Sequence, residues 1–201
     1  MKLYDNMDRI YAEVESRGGS VTVEELVTFA CLNYTGKSGC TRAIEYLKAS
    51  EATNILDVGC GIGGPAVYIS KTTGSRVTAI DLQANLVELI TYLSSTFSLN
   101  NQIVPMQGDI LTMEMPSESY DGLYSMLVIL HLPIERRMEL FNKFYTVLKS
   151  NAGIYIEDFF LLHEVTESEQ KSLKEDVYCN GLPTKEEYID TLTKAGFIDI
   201  E

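Results

Sequence analysis

The most constraining feature of the sequence is a glycine-rich turn, Asp57-Val58-Gly59-Cys60-Gly61-Ile62-Gly63-Gly64, which joins an apolar run to a helical pattern. Gly59, Gly61 and Gly64 satisfy the spacing G-x-G-x-x-G, and Asp81 ends the next apolar run. Glycines let the backbone turn sharply and approach a ligand, and the helix that follows offers free N–H groups. The turn therefore predicts a strand–helix unit that binds a dinucleotide or another adenosine ligand.

The hydrophobic periodicity alternates between strand and helix after residue 50, which predicts an α/β fold with a parallel sheet covered by helices. We expect strands over 54–59, 76–81, 102–107, 120–126 and 153–160, and helices over 63–72, 84–97, 134–149 and 184–195. Residues 1–50 have helical spacing over 4–15, 23–31 and 40–47, with a break at Gly18-Gly19 and a loop over 33–39. The sequence thus predicts an N-terminal helical cap over 1–50 and a core over 51–201.

Composition excludes several classes of function. The 201 residues carry 16 Lys and Arg against 29 Asp and Glu, a formal charge of −13, which disfavours a nucleic-acid partner. No apolar run reaches the ~18 residues that a membrane helix needs. The four cysteines form no C-x-x-C pair and there are two histidines, so no metal site is predicted. We expect a cytoplasmic protein with reduced thiols.

Three acidic residues at strand ends bear on the choice of ligand. Asp57 would repel a pyrophosphate on the following helix but would favour a sulfonium or ammonium group. Asp81 suits the two ribose hydroxyls, which donate to a carboxylate. Asp109 can accept from an adenine amino group, with Ile110 and Leu82 on the two faces of the ring. These residues favour a cationic adenosine ligand over a dinucleotide.

Through these residues the chain resembles the class I S-adenosylmethionine-dependent methyltransferases. Their motif D-x-G-x-G-x-G is matched here from Asp57 to Gly63. The resemblance extends over 54–201 and includes Asp81, Gly108-Asp109 and Tyr120-Asp121. It implies a doubly wound, mostly parallel Rossmann-like sheet of order 3-2-1-4-5, whose two terminal strands are incomplete because 197–201 supplies at most the sixth. It also implies S-adenosylmethionine as cofactor, bound by Asp57, Gly59, Cys60, Gly61, Gly63, Asp81, Leu82, Gly108, Asp109, Ile110, Met126 and Tyr34.

The segment Ile129-Leu130-His131-Leu132, with Asn33-Tyr34 and Glu157-Asp158-Phe159, is similar to phosphoethanolamine N-methyltransferases and to the related sarcosine and dimethylglycine enzymes. That resemblance implies a catalytic role for His131 beside an N-terminal tyrosine. The segment 17–20 has no tyrosine, which leaves Tyr4, Tyr11 and Tyr34 as candidates. The phosphoethanolamine family has charged residues after the position of Ser125, whereas this chain has Met126 and Leu127.

Two roles are open for His131 from the sequence alone. It can take a proton from the attacking nucleophile, or it can cap a helix or bond a backbone carbonyl. The function that we predict is methyl transfer to a small-molecule acceptor, an amine. The alternatives are a non-catalytic binding or assembly module with the same fold and, disfavoured by Asp57, a nicotinamide-dependent dehydrogenase.

Overall fold

A computed structural model of the chain, which describes residues 7–17 and 20–201, contains a parallel sheet of five strands. The strands lie in the order β3-β2-β1-β4-β5. Their bounds are β1 Asn54–Val58, β2 Arg76–Asp81, β3 Ile103–Gln107, β4 Tyr120–Met126 and β5 Leu148–Glu157. The order confirms the predicted doubly wound, Rossmann-like sheet.

Helices precede the sheet, connect its strands and follow it. They are α1 Met7–Ser16, α2 Val23–Ala30, α3 Lys37–Leu47, α4 Gly64–Thr73, α5 Ala84–Thr96, α6 Arg137–Val147, α7 Glu167–Asp176 and α8 Lys185–Lys194. The helices α2, α7 and α8 each begin with a capping box, in which a threonine and a glutamate three residues later satisfy each other's backbone N–H groups. These boxes fix where the three helices begin.

Alternate residues of the strands supply two separate cores, one on each face of the sheet. Ile55 and Tyr124 belong to the core that also holds the buried side chains of α1, α2, α4 and α5. Leu56 and Leu123 belong to the opposite core, with Phe141 of α6. The helix that follows β1, α4, therefore packs on one face of the sheet, and the helix that follows β4, α6, packs on the other. A crevice opens at such a switch point, beyond the carboxyl ends of β1 and β4.

The N-terminal helices pack directly on this core. The helix α2 lies against α4, and α3 lies against α4, β4 and β5. The division at residue 50 remains a prediction. Tyr4 and the pair Gly18-Gly19 lie outside the described residues. None of the helices within 7–17 and 20–201 combines the length and apolar character that a membrane span requires.

Several predicted bounds before β1 and after β4 are wrong. The loop predicted over 33–39 ends early, because Gly36 has a φ of +52° and α3 begins at Lys37. The strand β5 begins at Leu148, directly after α6, and stops at Glu157. The helix α7 was not predicted. The tail 197–201 forms no strand, and Phe197 packs edge-on against Tyr145 of α6, with ring centroids 5.6 Å apart.

Candidate functional site

A cavity of about 480 Å³ lies at the crevice beyond the carboxyl ends of β1, β2 and β4. Its volume is within the range of about 300–1,000 Å³ that is usual for small-molecule sites. The structure brings to its wall most of the residues that the sequence singled out: Asp57, Gly59, Cys60, Gly61, Asp81, Leu82, Gly108, Asp109, Ile110, Met126 and His131.

The glycine-rich turn forms one wall of the cavity. Gly59 and Cys60 donate their backbone N–H groups to the carbonyl of Ile80 at 2.8 and 2.9 Å, which ties the turn to β2. Gly61 has a φ of +52°, and a Cβ atom there would find only a Leu32 methyl group, 3.9 Å away. The missing side chain of Gly61 therefore leaves open space on the cavity side, which suits the close approach of a ligand.

Asp57 lies at the floor of the cavity and is only 2% exposed. In the register between β1 and β4 it stands opposite Tyr124, whose hydroxyl donates to its Oδ2 at 2.8 Å. Burial raises the pKa of Asp57 to about 8, although the hydrogen bond from Tyr124 opposes the rise. A cation bound nearby would stabilise the ionised carboxylate, so this site favours a positively charged ligand.

Backbone hydrogen bonds hold the other two carboxylates in place. Asp81 accepts from the N–H of Gly61 at 2.9 Å through Oδ2 and from that of Gln83 at 3.0 Å through Oδ1. Burial raises the pKa of Asp81 as well. Asp109 accepts from the N–H of Leu111 at 2.9 Å. Each carboxylate oxygen can accept a further hydrogen bond. The pair can therefore receive hydroxyl and amino donors of a ligand.

His131 lies in a short 3₁₀ turn, Ile129–His131, on the side of the cavity beyond β4. Its Nδ1 is 3.2 Å from the carbonyl oxygen of Tyr178. Because a carbonyl oxygen only accepts, Nδ1 carries the proton, and Nε2 is the basic nitrogen of the neutral ring. The structure thus shows the backbone contact that was one expectation for this residue. This contact leaves Nε2 available as a base, which the proton-accepting role of His131 would need.

Two predicted cofactor-binding residues lie outside the cavity wall. A Cβ atom at Gly63 would overlap Ile90 of α5 at 2.6 Å, so this glycine allows close helix packing. Tyr34 is 73% exposed and packs against Phe159, with ring centroids 5.4 Å apart. Tyr11, a candidate partner of His131, is also absent from the cavity wall. Its ring packs against that of Tyr92 on α5, and the two ring centroids are 4.9 Å apart.

The structure adds residues that the sequence reasoning did not assign. Asn33, Tyr124 and Tyr178 line the cavity, and Glu157 holds the loop that carries Asn33. The role of Tyr124 follows from its register opposite Asp57, which no local pattern gives. Within the part of the chain that the structure describes, no group of three His, Cys, Asp or Glu side chains is placed to hold a metal ion.

Comparison with known proteins agrees with this geometry. Residues 55–151 match the sequence model of a family described as "Methyltransferase domain". A phosphoethanolamine N-methyltransferase of Plasmodium falciparum is 31% identical over 173 residues, which are 84% of this chain and 63% of that protein. A sterol 24-C-methyltransferase of Gibberella zeae is 32% identical over 107 residues, 52% of this chain and 28% of that protein. The chain therefore spans less than two thirds of the curated relatives that it matches.

Among solved structures, phosphoethanolamine N-methyltransferase 2 of Haemonchus contortus, in complex with S-adenosyl-L-methionine, has a TM-score of 0.78. It is 21% identical, and the match covers 100% of this chain and 45% of that chain. The residues present here also fit that cofactor, because an acidic floor, two further carboxylates and the open space at Gly61 face one cavity. The motif, the sheet order and the relatives together support the resemblance to the class I S-adenosylmethionine-dependent methyltransferases, and residues 55–151 match the methyltransferase-domain family.

Proposed function

We propose that this chain catalyses the transfer of a methyl group from S-adenosylmethionine to a small-molecule amine. The observation that carries the proposal is the placement of Asp57, Asp81, Asp109 and His131 around one cavity. The three carboxylates suit the cationic nucleoside, and His131 supplies a basic nitrogen on the side beyond β4. The wall there also contains the apolar residues Leu127, Val128, Leu132 and Pro133.

The division of roles follows from the chemistry. Bound S-adenosylmethionine supplies a methyl group on a sulfonium, which becomes a neutral thioether when the methyl group leaves. Asp81 and Asp109 would hold the ribose and adenine, and the carboxylate of Asp57 would favour the positive charge of the cofactor. His131 would accept through Nε2 the proton that the attacking nitrogen loses, while the carbonyl of Tyr178 holds the ring by its Nδ1–H. The apolar wall would exclude water from the acceptor.

An acceptor amine is favoured over a carbon acceptor by the acidic cavity. A protonated amine is attracted to carboxylates, and it must lose a proton before its lone pair can attack. The Plasmodium relative is a phosphoethanolamine N-methyltransferase, whereas the Gibberella relative is a sterol 24-C-methyltransferase, so carbon methylation is the competing outcome. We further expect the protein to be cytoplasmic, an inference that rests on its four free cysteines.

A binding or assembly module with the same fold is the second candidate function. It is favoured by Met126 and Leu127, which stand where the phosphoethanolamine enzymes have charged residues. Such a module would keep the cofactor cavity and lack a productive acceptor site. Cofactor binding alone therefore does not separate the two candidates, whereas turnover does.

The experiment combines calorimetry with S-adenosylhomocysteine and methyl transfer from radiolabelled S-adenosylmethionine to a panel of amines, phenols and sterols. We expect binding of S-adenosylhomocysteine and label in one or more amines. Label in sterols alone would indicate that the acceptor is a carbon atom and not an amine. Binding without label in any acceptor would favour the module. Binding of NAD in place of S-adenosylhomocysteine would contradict both candidates.

A further inference from the structure

The segment 178–181 joins α7 to α8 and lies against the 3₁₀ turn that carries His131. Tyr178 and Asn180 of this segment line the cavity, as His131 does. The segment is irregular and the turn has only three residues. Neither can be held in place by helical or sheet hydrogen bonds of its own, so the contacts between them fix the position of the His131 ring.

Asn180 holds the turn at two successive residues. Its backbone N–H donates to the carbonyl oxygen of Leu130 at 2.8 Å, and its Nδ2 donates to the carbonyl oxygen of His131. The residue three positions after Leu130 is Pro133, which has no N–H and cannot continue the hydrogen bonds of the turn. The carbonyl group of Leu130 therefore needs a partner from outside the turn, and Asn180 supplies it.

Tyr178 turns its carbonyl group toward the ring of His131. The φ of Tyr178 is +54°, in the left-handed region that residues with a side chain seldom adopt. Its carbonyl oxygen lies 3.2 Å from Nδ1 of His131 and receives the proton of that nitrogen. Such backbone strain persists only where the surrounding structure enforces it, and it is frequent at functional sites. The strained residue is thus the one that sets which ring nitrogen is basic.

Two charged side chains tie this arrangement to the rest of the fold. Arg137 of α6 is only 3% exposed, and its Nη2 donates to the carbonyl oxygens of Gly181 at 2.6 Å and Leu132 at 3.2 Å. It therefore joins the end of the segment to the residue after the turn. On the other side, Asp158 accepts from the backbone N–H of Leu130 at 3.0 Å. The turn is thus held both from α6 and from the end of β5.

We propose that Asn180 is a positioning residue for methyl transfer, because it holds the segment 178–181 against the turn so that His131 keeps its proton on Nδ1 and offers Nε2 as the base. This inference rests on the proposed function. In that reaction an N–H bond of the attacking amine breaks and an Nε2–H bond forms, which leaves the His131 ring as an imidazolium. A displacement of about 1 Å in such a group can cost 100-fold in rate, so the partner that fixes the ring matters for turnover.

NMR measures directly which ring nitrogen carries the proton. The sequence has two histidines, His131 and His163, so the long-range ¹⁵N–¹H spectrum of the labelled protein contains two rings, and His163→Gln assigns them. In alkaline solution each ring is neutral and carries one proton. We expect the parent protein to carry the proton of His131 on Nδ1.

Asn180→Ala removes the side-chain donor and keeps the backbone N–H. The ring of His131 should then populate both tautomers, because the segment is held less firmly against the turn. With the amine of the panel that takes up most label, kcat should fall by about 10- to 100-fold. Calorimetry with S-adenosylhomocysteine should give an affinity within about twofold of the parent value.

The exposed Asn101→Ala is the matched control and should keep the parent spectrum and the parent kcat. If Asn180→Ala does not fold, Asn180→Asp applies the same test. It keeps the shape of the side chain, and an ionised carboxylate has no donor for the carbonyl oxygen of His131.

The outcomes separate this inference from the proposed function. A parent ring with its proton on Nε2 would refute the inference. A parent-like spectrum in Asn180→Ala would remove the positioning role even if kcat falls, since the fall would then come from a lost contact with the acceptor. A changed spectrum with parent-like kcat would also overturn the inference. The expected spectra without label in any acceptor would refute the proposed function and leave the arrangement of the ring in place.

Discussion

A valine at Gly61 tests whether the glycine-rich turn is the place where the cofactor approaches the backbone. The φ of +52° costs a residue with a side chain about 1–2 kcal/mol. The Cβ atom of the new side chain has room, since the nearest protein atom is a Leu32 methyl carbon 3.9 Å from its position. For a chain of this length, that strain should lower the melting temperature by about 2–8 °C. The added methyl groups project into the cavity, where they should weaken S-adenosylhomocysteine by roughly 100-fold or more, about 2.7 kcal/mol.

Gly74→Val is the matched control for this substitution. Gly74 also has a positive φ, +75°, and its Cβ position is 3.2 Å from the Cβ of Glu51. It precedes β2 at the amino end of the sheet, away from the cavity. Thermal unfolding should therefore give similar losses for the two variants, whereas calorimetry should give a loss of affinity for Gly61→Val alone. Parent-like affinity in a folded Gly61→Val would show that the ligand does not approach this turn.

Three further substitutions test the individual side chains of the cavity. The raised pKa of Asp57, about 8, means that the folded chain holds a proton that the unfolded chain releases, so its contribution to stability falls as pH rises from about 4 to about 8. Between pH 5 and 8 the free energy of unfolding should therefore fall by about 2–4 kcal/mol more in the parent than in Asp57→Asn, as measured by denaturant unfolding. Identical pH dependence in the two proteins would contradict the burial argument. Asp81→Ala should weaken S-adenosylhomocysteine by about 10- to 100-fold in calorimetry, with the exposed Asp190→Ala as control, and parent-like affinity would remove Asp81 from the site. His131→Ala should lower kcat by about 10²- to 10⁴-fold with cofactor affinity nearly unchanged, whereas full turnover would assign the residue to the backbone contact with Tyr178 alone.

The fold could be predicted largely because its signals are local. The strands over 76–81 and 120–126 have the predicted bounds, and each is preceded by residues that favour turns, Gly74-Ser75 and Pro116-Ser117. The strand β5 was misplaced because α6 passes directly into it, with no turn residue between Val147 and Leu148. The helix α7 was missed because its exposed residues carry no apolar stripe, although the capping box at Thr166 marks its start.

The candidate site could be predicted where its residues lie at or just after the carboxyl ends of strands, since the topology places those ends together. Asp57, Asp81 and Asp109 reached the cavity wall for this reason. The contact of Tyr124 with Asp57 depends on the register between two strands, and the contact of Asn33 with Glu157 joins residues 124 positions apart. Neither contact can be inferred from a local sequence pattern, because each joins residues that are far apart in the chain. The side chains that orient the site therefore became visible only in three dimensions.

The central place of β1 has a consequence for how the protein acquires its stability. This strand is the first to be synthesised, yet one of its neighbours is β4, and Asp57 meets its partner Tyr124 across 67 positions of sequence. The cavity wall draws on several strands and on the loop before α3, so a partly folded chain has no complete cavity. The cofactor consequently binds the native chain and not the unfolded one. At 100 times its dissociation constant, such a ligand adds about 2.7 kcal/mol to the free energy of unfolding. We therefore expect S-adenosylmethionine to slow proteolysis of the chain, and equal rates of proteolysis with and without it would contradict this coupling.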